Sequence, residues 1–183
     1  MPLEGVPLSP NSNILTLEDI ERLAEIFASL GVKKIRLTGG EPMVRKEIIE
    51  IVQCLSKHFG EIGITTNGTL LKRKMQRLKD AGLTHLNVSL DSLVGAKNEF
   101  ITRRPDTSRQ VLAAIDQAVQ LGIPSVKLNV VAMRNFNDDE LLDFVELTRE
   151  RPLDVRFIEF MPFDQNEWSW KKFISMIEMH EII

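Results

Sequence analysis

The segment HLNVSLD, His85–Asp91, decides the fold that this sequence predicts. Its residues alternate strictly, with Leu86, Val88 and Leu90 on one face and Asn87, Ser89 and Asp91 on the other. That period of two is typical of a β-strand with one buried face. A sheet covered by helices on both faces would leave such polar rows without partners. The alternation therefore favours an open or partial barrel in which the polar face lines a wet lumen.

Four further segments resemble this strand, and helical periodicity separates them all. The predicted strands cover Lys33–Thr38, Ile62–Thr65, His85–Asp91, Val126–Val131 and Leu153–Phe160. The predicted helices cover Thr16–Leu30, Lys46–Lys57, Leu70–Ala81 and Ser108–Leu121, then Asn137 to about Glu150, with a last helix from near Trp170. Repeated strand–helix units predict a parallel sheet with right-handed crossovers. The fold class is thus α/β, an incomplete TIM-like barrel of parallel strands.

Local signals define some of the boundaries. Thr16 with Asp19 predicts a capped helix start, and Asn137 with Glu140 predicts a second capping box. The segment Leu93–Thr107, which contains TRRP, is predicted to be irregular. The first clear element is a helix with no strand before it, so we expect the first strand of the barrel to be missing.

Composition excludes several classes of protein. The 183 residues carry a net charge of −3 without a strongly basic segment, which argues against a nucleic-acid partner. No apolar run is long enough to span a membrane, and no signal peptide is recognisable. Cys54 is the single cysteine, so no disulfide framework forms and a reducing compartment is expected. We interpret residues 1–183 as a single domain.

The segment KKIRLTGGEP, Lys33–Pro42, breaks from a strand into two glycines, an acid and a proline. Gly39 and Gly40 permit a ligand to lie against the backbone. An ordinary turn, with Pro42 near the start of a helix, explains the same residues equally well.

Cations on the polar strand face indicate an anionic ligand. Lys34 and Arg36 lie two residues apart on one strand, and Lys127 occupies the corresponding face of another. Inward cations are costly unless an anion meets them, and a guanidinium binds phosphate bidentately. The alternative is a salt bridge from each cation to Glu or Asp on a neighbouring strand.

Polar residues also gather where other predicted strands end, the edge at which parallel α/β folds bind ligands. Thr65, Thr66 and Asn67 offer hydroxyl and amide groups, although NG is also a common turn. Ser89 suits a ligand hydroxyl or carboxylate, while Asp91 could simply cap the next segment. Arg156 and Met161 lie at the end of the last strand, where Met is either core filler or a soft contact for a flat base or sulfonium.

No metal site is predicted. His58, His85 and His180 are isolated in the sequence, and Cys54 lies in an apolar helix without a partner cysteine. A buried structural thiol is the favoured interpretation of Cys54. No P-loop, nucleophile elbow or paired-carboxylate pattern is present, so no catalytic residue is assigned.

The motifs together closely resemble one family over essentially the whole chain. The segments are IRLTGGEP, GITTNG, LNVSLDSL, VKLNVVAMRNFNDDELLDF and DVRFIEFMPFDQNEW. They resemble the MoaA family, the GTP 3′,8-cyclases of molybdenum cofactor biosynthesis, which are radical S-adenosylmethionine (SAM) enzymes. GGEP alone indicates only the radical SAM superfamily, whereas RFIEFMP with FNDDE is more specific.

The resemblance implies a lyase that cyclises GTP to 3′,8-cyclo-7,8-dihydro-GTP on a partial barrel. In the family a [4Fe–4S] cluster is bound by a CxxxCxxC loop, SAM binds its open iron, and a second cluster holds the purine. By resemblance, Gly39, Gly40, Glu41, Ser89 and Met161 would contact SAM. Arg36, Thr65 and Lys127 would contact GTP, with Arg156 a further candidate for that pocket.

The chain departs from the family pattern at both ends. In the family MPxEGV directly follows the cluster cysteines, whereas here its Met is residue 1. We therefore expect a radical SAM core truncated at both termini, without its first strand or cluster ligands, and inactive alone. The alternatives are a cluster-free binding protein and a phosphate-binding α/β barrel enzyme without radical chemistry. A homodimer is compatible with the sequence, as are cytoplasm and mitochondrial matrix.

Overall fold

One parallel sheet forms the centre of the computed structural model, which describes residue 10, residues 13–163 and residues 166–183. The motif MPLEGV and the pair 164–165 lie outside these residues. The five strands are β1 (Lys34–Leu37), β2 (Glu61–Thr66), β3 (His85–Ser89), β4 (Ser125–Ala132) and β5 (Asp154–Glu159). They lie in sequence order, each parallel to the next, which confirms the predicted open parallel α/β sheet.

Seven α-helices accompany the strands among the described residues. They are α1 (Leu17–Ser29), α2 (Ile48–Ser56), α3 (Leu71–Asp80), α4 (Gly95–Thr102), α5 (Thr107–Gln120), α6 (Leu141–Glu150) and α7 (Met176–Ile182). Two 3₁₀ turns, Pro42–Val44 and Asp138–Glu140, precede α2 and α6. None of these helices is long and apolar enough to cross a bilayer.

The main core lies between the helices and one face of the sheet. The apolar halves of the alternating strands, such as Ile64, Leu86 and Leu128, are fully buried there. Met75 on α3 and Ile115 on α5 pack into the same cluster. Burial of this face stabilises the sheet by the hydrophobic effect. The opposite face carries the polar halves of the strands, and the candidate site lies there.

Three sequence expectations about local structure have clear outcomes. The capping box of α1 is confirmed, because Thr16 Oγ1 accepts from the Asp19 amide at 3.1 Å and Asp19 Oδ2 accepts from the Thr16 amide at 2.9 Å. The expectation of an irregular Leu93–Thr107 was wrong, since α4 occupies Gly95–Thr102. The last helix begins at Met176 rather than near Trp170, where Ser175 caps it.

The capping box predicted at Asn137 and Glu140 was also wrong. The Asn137 amide donates to backbone oxygens of Asp91 and Val131, so it ties the end of β3 to β4. The Glu140 carboxylate is only 2% exposed and accepts from the Ser92 hydroxyl and from the amides of residues 93 and 94. Both side chains thus satisfy buried backbone far away in sequence, which a local pattern cannot reveal.

Candidate active site

The polar face of the sheet presents its side chains in three rows across the strands. The register gives the rows Arg36–Gly63–His85–Ser125, Thr65–Asn87–Lys127–Asp154 and Ser89–Asn129–Arg156. Neighbouring strands lie about 4.8 Å apart, so Thr65 and Lys127 are separated by roughly 10 Å. A span of that size matches a nucleotide. The structure therefore brings the predicted residues Arg36, Thr65 and Lys127 onto one face.

Arg36 lies across a glycine. A Cβ built at Gly63 would lie 3.0 Å from Arg36 Cζ and 3.1 Å from each terminal nitrogen, so the guanidinium rests directly on the Gly63 backbone. The Nη1 atom of Arg36 is buried and has no hydrogen-bond partner in the structure. Arg36 also forms no ion pair with any described residue, in contrast to the lysines beside it. A guanidinium held flat and left unpaired is prepared to receive an anion.

The two lysines on this face are paired with carboxylates of the neighbouring strand. Lys34 Nζ contacts Glu61 Oε2 at 2.7 Å, and Lys127 Nζ contacts Asp154 Oδ2 at 2.7 Å. The salt-bridge alternative therefore holds for both lysines in the absence of ligand. Asp154 is largely exposed, and exposed ion pairs are weak, so a phosphate group can compete for Lys127. The bond to Lys127 lowers the pKa of Asp154.

The pKa of His85 depends on its burial and on the charges around it. The pKa of His85 lies below its ordinary value, mainly because of burial and next because of the charge of Lys34. Arg36 and Lys127 lower the pKa further, and Glu61 opposes them. Lys34 and Lys127 are paired with Glu61 and Asp154, so the uncompensated positive charge beside His85 comes from Arg36.

The loop after β1 presents free backbone. An ideal Cβ at Gly39 or Gly40 would meet nothing within 4 Å, and Gly39 has a φ of +125° that L side chains rarely adopt. Neither amide donates to another residue in the described part of the chain. The loop therefore exposes unused backbone donors at the carboxyl edge of the sheet.

Glu41 joins this loop to the next one. Its Oε1 accepts from the Met43 amide at 2.9 Å and from Thr66 Oγ1 at 2.6 Å, while Oε2 accepts from the Asn67 amide at 2.7 Å. The carboxylate therefore caps the first 3₁₀ turn and clamps the end of β2. Sequence reasoning assigned Glu41 to a ligand and missed this structural use. Most of its acceptor capacity is occupied by the protein itself.

The remaining predicted residues lie along the carboxyl edge. Ser89 is the last residue of β3 and is exposed, and Met161, 47% exposed, follows β5 by two residues. Arg156 is exposed on β5 in the row of Ser89. Asp91 does not cap the following segment, because its Oδ1 accepts from the Val131 amide at 2.9 Å.

Asn87 was not among the predicted site residues. It lies between Thr65 and Lys127 in the register and is 6% exposed, with its Oδ1 buried and unpaired. Buried amides are normally hydrogen-bonded, so an unpaired one in this row marks it as part of the site. The signal was available, because the alternation that selected Ser89 places Asn87 on the same face.

The described residues contain no group of three or more His, Cys, Asp or Glu side chains placed to hold a metal ion. Cys54 lies in α2, is buried and unpaired, and has a pKa raised mainly by that burial. A buried protonated thiol is a poor iron ligand, and three thiolates are needed for a site-differentiated [4Fe–4S] cluster. The residues of this chain therefore do not fit such a cluster.

The fold is an open α/β barrel of parallel strands. Its cationic polar face and the glycine loop at its carboxyl edge are typical of a ligand-binding protein. A profile of the radical SAM superfamily matches residues 5–148. The chain belongs to the radical SAM superfamily. Streptococcus suis SuiB has the same fold, with a TM-score of 0.74 at 18% identity over 94% of this chain and 40% of that one.

Two relatives are much more similar in sequence. GTP 3′,8-cyclase, mitochondrial, from Arabidopsis thaliana is 55% identical over 98% of this chain. Molybdenum cofactor biosynthesis protein 1 from Homo sapiens is 51% identical over the whole chain. The chain spans 46% of the Arabidopsis protein and 29% of the human protein.

Proposed function

We propose that this chain forms the GTP-binding and SAM-binding part of a GTP 3′,8-cyclase of molybdenum cofactor biosynthesis. The relatives just described support the activity, and the polar sheet face supports the substrate. The observation that carries the proposal is the Arg36 guanidinium, which lies flat on Gly63 with a buried Nη1 that no protein group satisfies. A guanidinium nitrogen that is buried without a hydrogen-bond partner is costly, and an anionic ligand would satisfy it.

GTP would occupy the polar face between β1 and β4. Arg36 would bind phosphate oxygens, Thr65 would donate its hydroxyl, and Lys127 would exchange Asp154 for a phosphate. The pKa of His85 is lowered mainly by burial, and next by the charge of Lys34 beside this face. Asn87, between Thr65 and Lys127, would use its amide to orient a ligand hydroxyl. These groups bind and orient the substrate, and none is proposed as a proton-transfer group.

SAM would occupy the carboxyl edge beside GTP. The free amides of Gly39 and Gly40 fit the methionine end of the molecule, and the open space above them admits it. Glu41 would offer its remaining lone pair to the amino group, Ser89 a hydroxyl and Met161 a soft contact to the sulfonium. When bound, SAM would supply the 5′-deoxyadenosyl group.

The 183-residue chain would bind these ligands without turnover. Its single thiol is buried in α2, so this chain does not supply the three thiolates that the cluster requires. The SAM and GTP sites of the chain would then act as part of a longer polypeptide. That protein would be a monomer or homodimer in the cytoplasm or mitochondrial matrix. A cluster-free binding protein is the second candidate, favoured by the same buried Cys54.

Calorimetric titration of GTP and of SAM into the chain tests the assignment. Arg36→Ala should weaken GTP binding by about tenfold or more, because a charge-assisted phosphate contact is lost. SAM binding should remain within about twofold, since its groups lie on the loops. Arg22→Ala, which removes an exposed cation on α1, serves as the control. Equal loss of GTP and SAM affinity would refute the division of the site.

Anaerobic reconstitution with iron and sulfide tests the second part. We expect no stoichiometric [4Fe–4S] absorption from this chain alone. A full cluster chromophore that persists in Cys54→Ala would show that other ligands assemble it, and one that disappears would show that Cys54 participates. Either result would overturn the claim that these residues do not fit the cluster.

A further inference from the structure

A second cationic site lies on the helix side of the sheet. A cleft of about 620 Å³ separates the start of α3 from the connection between α4 and α5. Its lining includes Lys72, Arg73, Arg104 and Arg109, beside the apolar Leu70 and Pro105. Helices α3 and α5 pack against the apolar face of the sheet, so this cleft is separate from the row of Arg36. Cavities of this size are typical of small-molecule sites.

The charge of the cleft is uncompensated. The exposed side chains of Lys72, Arg73, Arg104 and Arg109 form no ion pair or hydrogen bond with any residue that the structure describes, and Arg104 is bonded to Thr102 and Thr107 through its backbone alone. No Asp or Glu is among the lining residues, although Asp106 is adjacent in the chain. Cations elsewhere in the chain, such as Lys127 and Arg151, are paired at 2.7 Å. Four unpaired cations around one cavity create a positive potential that attracts an anion.

Backbone donors add to this charge. Thr107, the first residue of α5, lines the cleft, and Leu70 and Lys72 line it at the start of α3. The first turn of α5 has no side-chain cap, so its amides add partial positive charge at this end of the cleft, whereas the Leu71 amide of α3 already donates to the Gly68 carbonyl at 3.1 Å. A helix N-terminus alone would only be solvated, but Thr107 lines the same cleft as the four cations.

We propose that this cleft binds the triphosphate chain of a phosphorylated small molecule, as a site distinct from the polar sheet face. Two arginines offer bidentate contacts to phosphate oxygens, and four cations match the charge of a triphosphate. Leu70 and Pro105 provide an apolar wall for the rest of the molecule. This inference does not depend on the cyclase activity, because none of its residues lies in the GTP or SAM site.

Calorimetric titration of inorganic tripolyphosphate at low ionic strength tests the proposal. Arg36→Gln serves as the reference protein, so that the polar sheet face contributes little. Adding Arg73→Gln and Arg104→Gln should weaken binding by about tenfold or more. A matched variant adds Lys33→Gln and Lys79→Gln, two exposed cations outside the cleft, and should stay within about twofold.

Each outcome supports or overturns the proposal. No binding to the reference protein overturns it, and so does equal loss in the matched variant, which would show diffuse attraction to net charge. Orthophosphate should bind about tenfold more weakly than tripolyphosphate, because it reaches fewer cations, and equal affinity contradicts a triphosphate site. If ATP binds more tightly than tripolyphosphate, the apolar wall contacts the nucleoside. If both bind equally, the cleft recognises the phosphate chain. If the double variant fails to fold, Arg109→Gln provides the same test.

Discussion

The contact between Arg36 and Gly63 makes Gly63→Ala a sharp perturbation of the proposed substrate site. The added methyl would lie 3.0 Å from Arg36 Cζ, whereas ordinary contacts begin at 3.4 Å. The guanidinium must therefore move by about 0.4 Å or rotate away from the sheet, which is possible because it is the end of a flexible side chain. Gly63 does not have a positive φ, so the backbone accepts alanine without strain.

The expected cost falls on ligand binding rather than on folding. Complete loss of a hydrogen bond to a charged group costs about 1.5–3 kcal/mol. A displaced but present guanidinium should lose part of this, about 1 kcal/mol, which corresponds to roughly a fivefold weaker Kd for GTP. The free energy of unfolding should be unchanged or slightly higher, because alanine is less costly than glycine within a strand.

Calorimetry with GTP and urea denaturation measure the two quantities. Gly60→Ala is the control, because a Cβ there meets nothing within 4 Å and its φ is not positive. We expect the control to bind GTP as the unmodified chain does. Unchanged GTP affinity in Gly63→Ala would refute the role of the flat guanidinium. Loss of GTP affinity with an equal loss of SAM affinity would indicate general disruption of the barrel instead.

Three further outcomes follow from individual contacts. Asp154→Asn releases Lys127 and should tighten GTP binding about threefold by calorimetry, since an exposed pair contributes under about 1 kcal/mol; weaker binding would contradict competition. Glu140→Gln replaces a buried acceptor of four donors and should lower the free energy of urea unfolding by about 1–3 kcal/mol, while exposed Glu146→Gln should change it by under about 0.5 kcal/mol. The pKa of Glu178 is lowered from 4.5 to about 2 by the Ser175 amide, then by Arg134 and the Ser175 hydroxyl. The contribution of Glu178 to folding stability is therefore full above pH 4.5 and is lost as the pH falls towards 2. The gap in Tm between the unmodified chain and Glu178→Gln should therefore close over that window, and a constant gap would exclude titration of Glu178 as the cause.

The sheet was predictable because its information is local. Alternation in segments such as His85–Asp91 is read directly from neighbouring residues, and it places the polar face as well as the core. The start of α1 was predictable for the same reason, since Thr16 and Asp19 cap each other within one turn. The same alternation places Arg36 and Lys127 on one face of the sheet, while their roles as ligand contacts remain a prediction.

Helix α4 was not predicted because the contacts that stabilise it come from residues far away in the sequence. Its sequence begins at Gly95, has little amphipathic character and carries no capping residue. The preceding turn is held instead by the carboxylate of Glu140, more than forty residues later in the chain. The same carboxylate produced the wrong capping-box prediction, because a Glu three residues after Asn137 has the correct local spacing. Long-range hydrogen bonds of this kind leave no periodic trace in a sequence.

The sequence also did not show which carboxylates form salt bridges with Lys34 and Lys127. The polar face predicts that Lys34 and Lys127 point into the lumen, but only the strand register shows which carboxylate lies opposite each. Register depends on how the crossovers close, which alternation does not specify. The alternation places Asn87 on the polar face, but only the packing shows that its Oδ1 is buried without a hydrogen-bond partner.

Glu41 connects the loop after β1 to the loop after β2, so amides in both loops should exchange hydrogen together. One carboxylate accepts from the amides of Met43 and Asn67, which belong to loops that follow different strands. Asn67 is exposed, yet its amide should exchange with solvent slowly and at the rate of Met43, because both are released by one opening event. The neighbouring amides of Gly39 and Gly40 should exchange fast until a ligand covers them. Exchange at four backbone positions would thus report separately on the rigidity of the scaffold and on the occupancy of the loop.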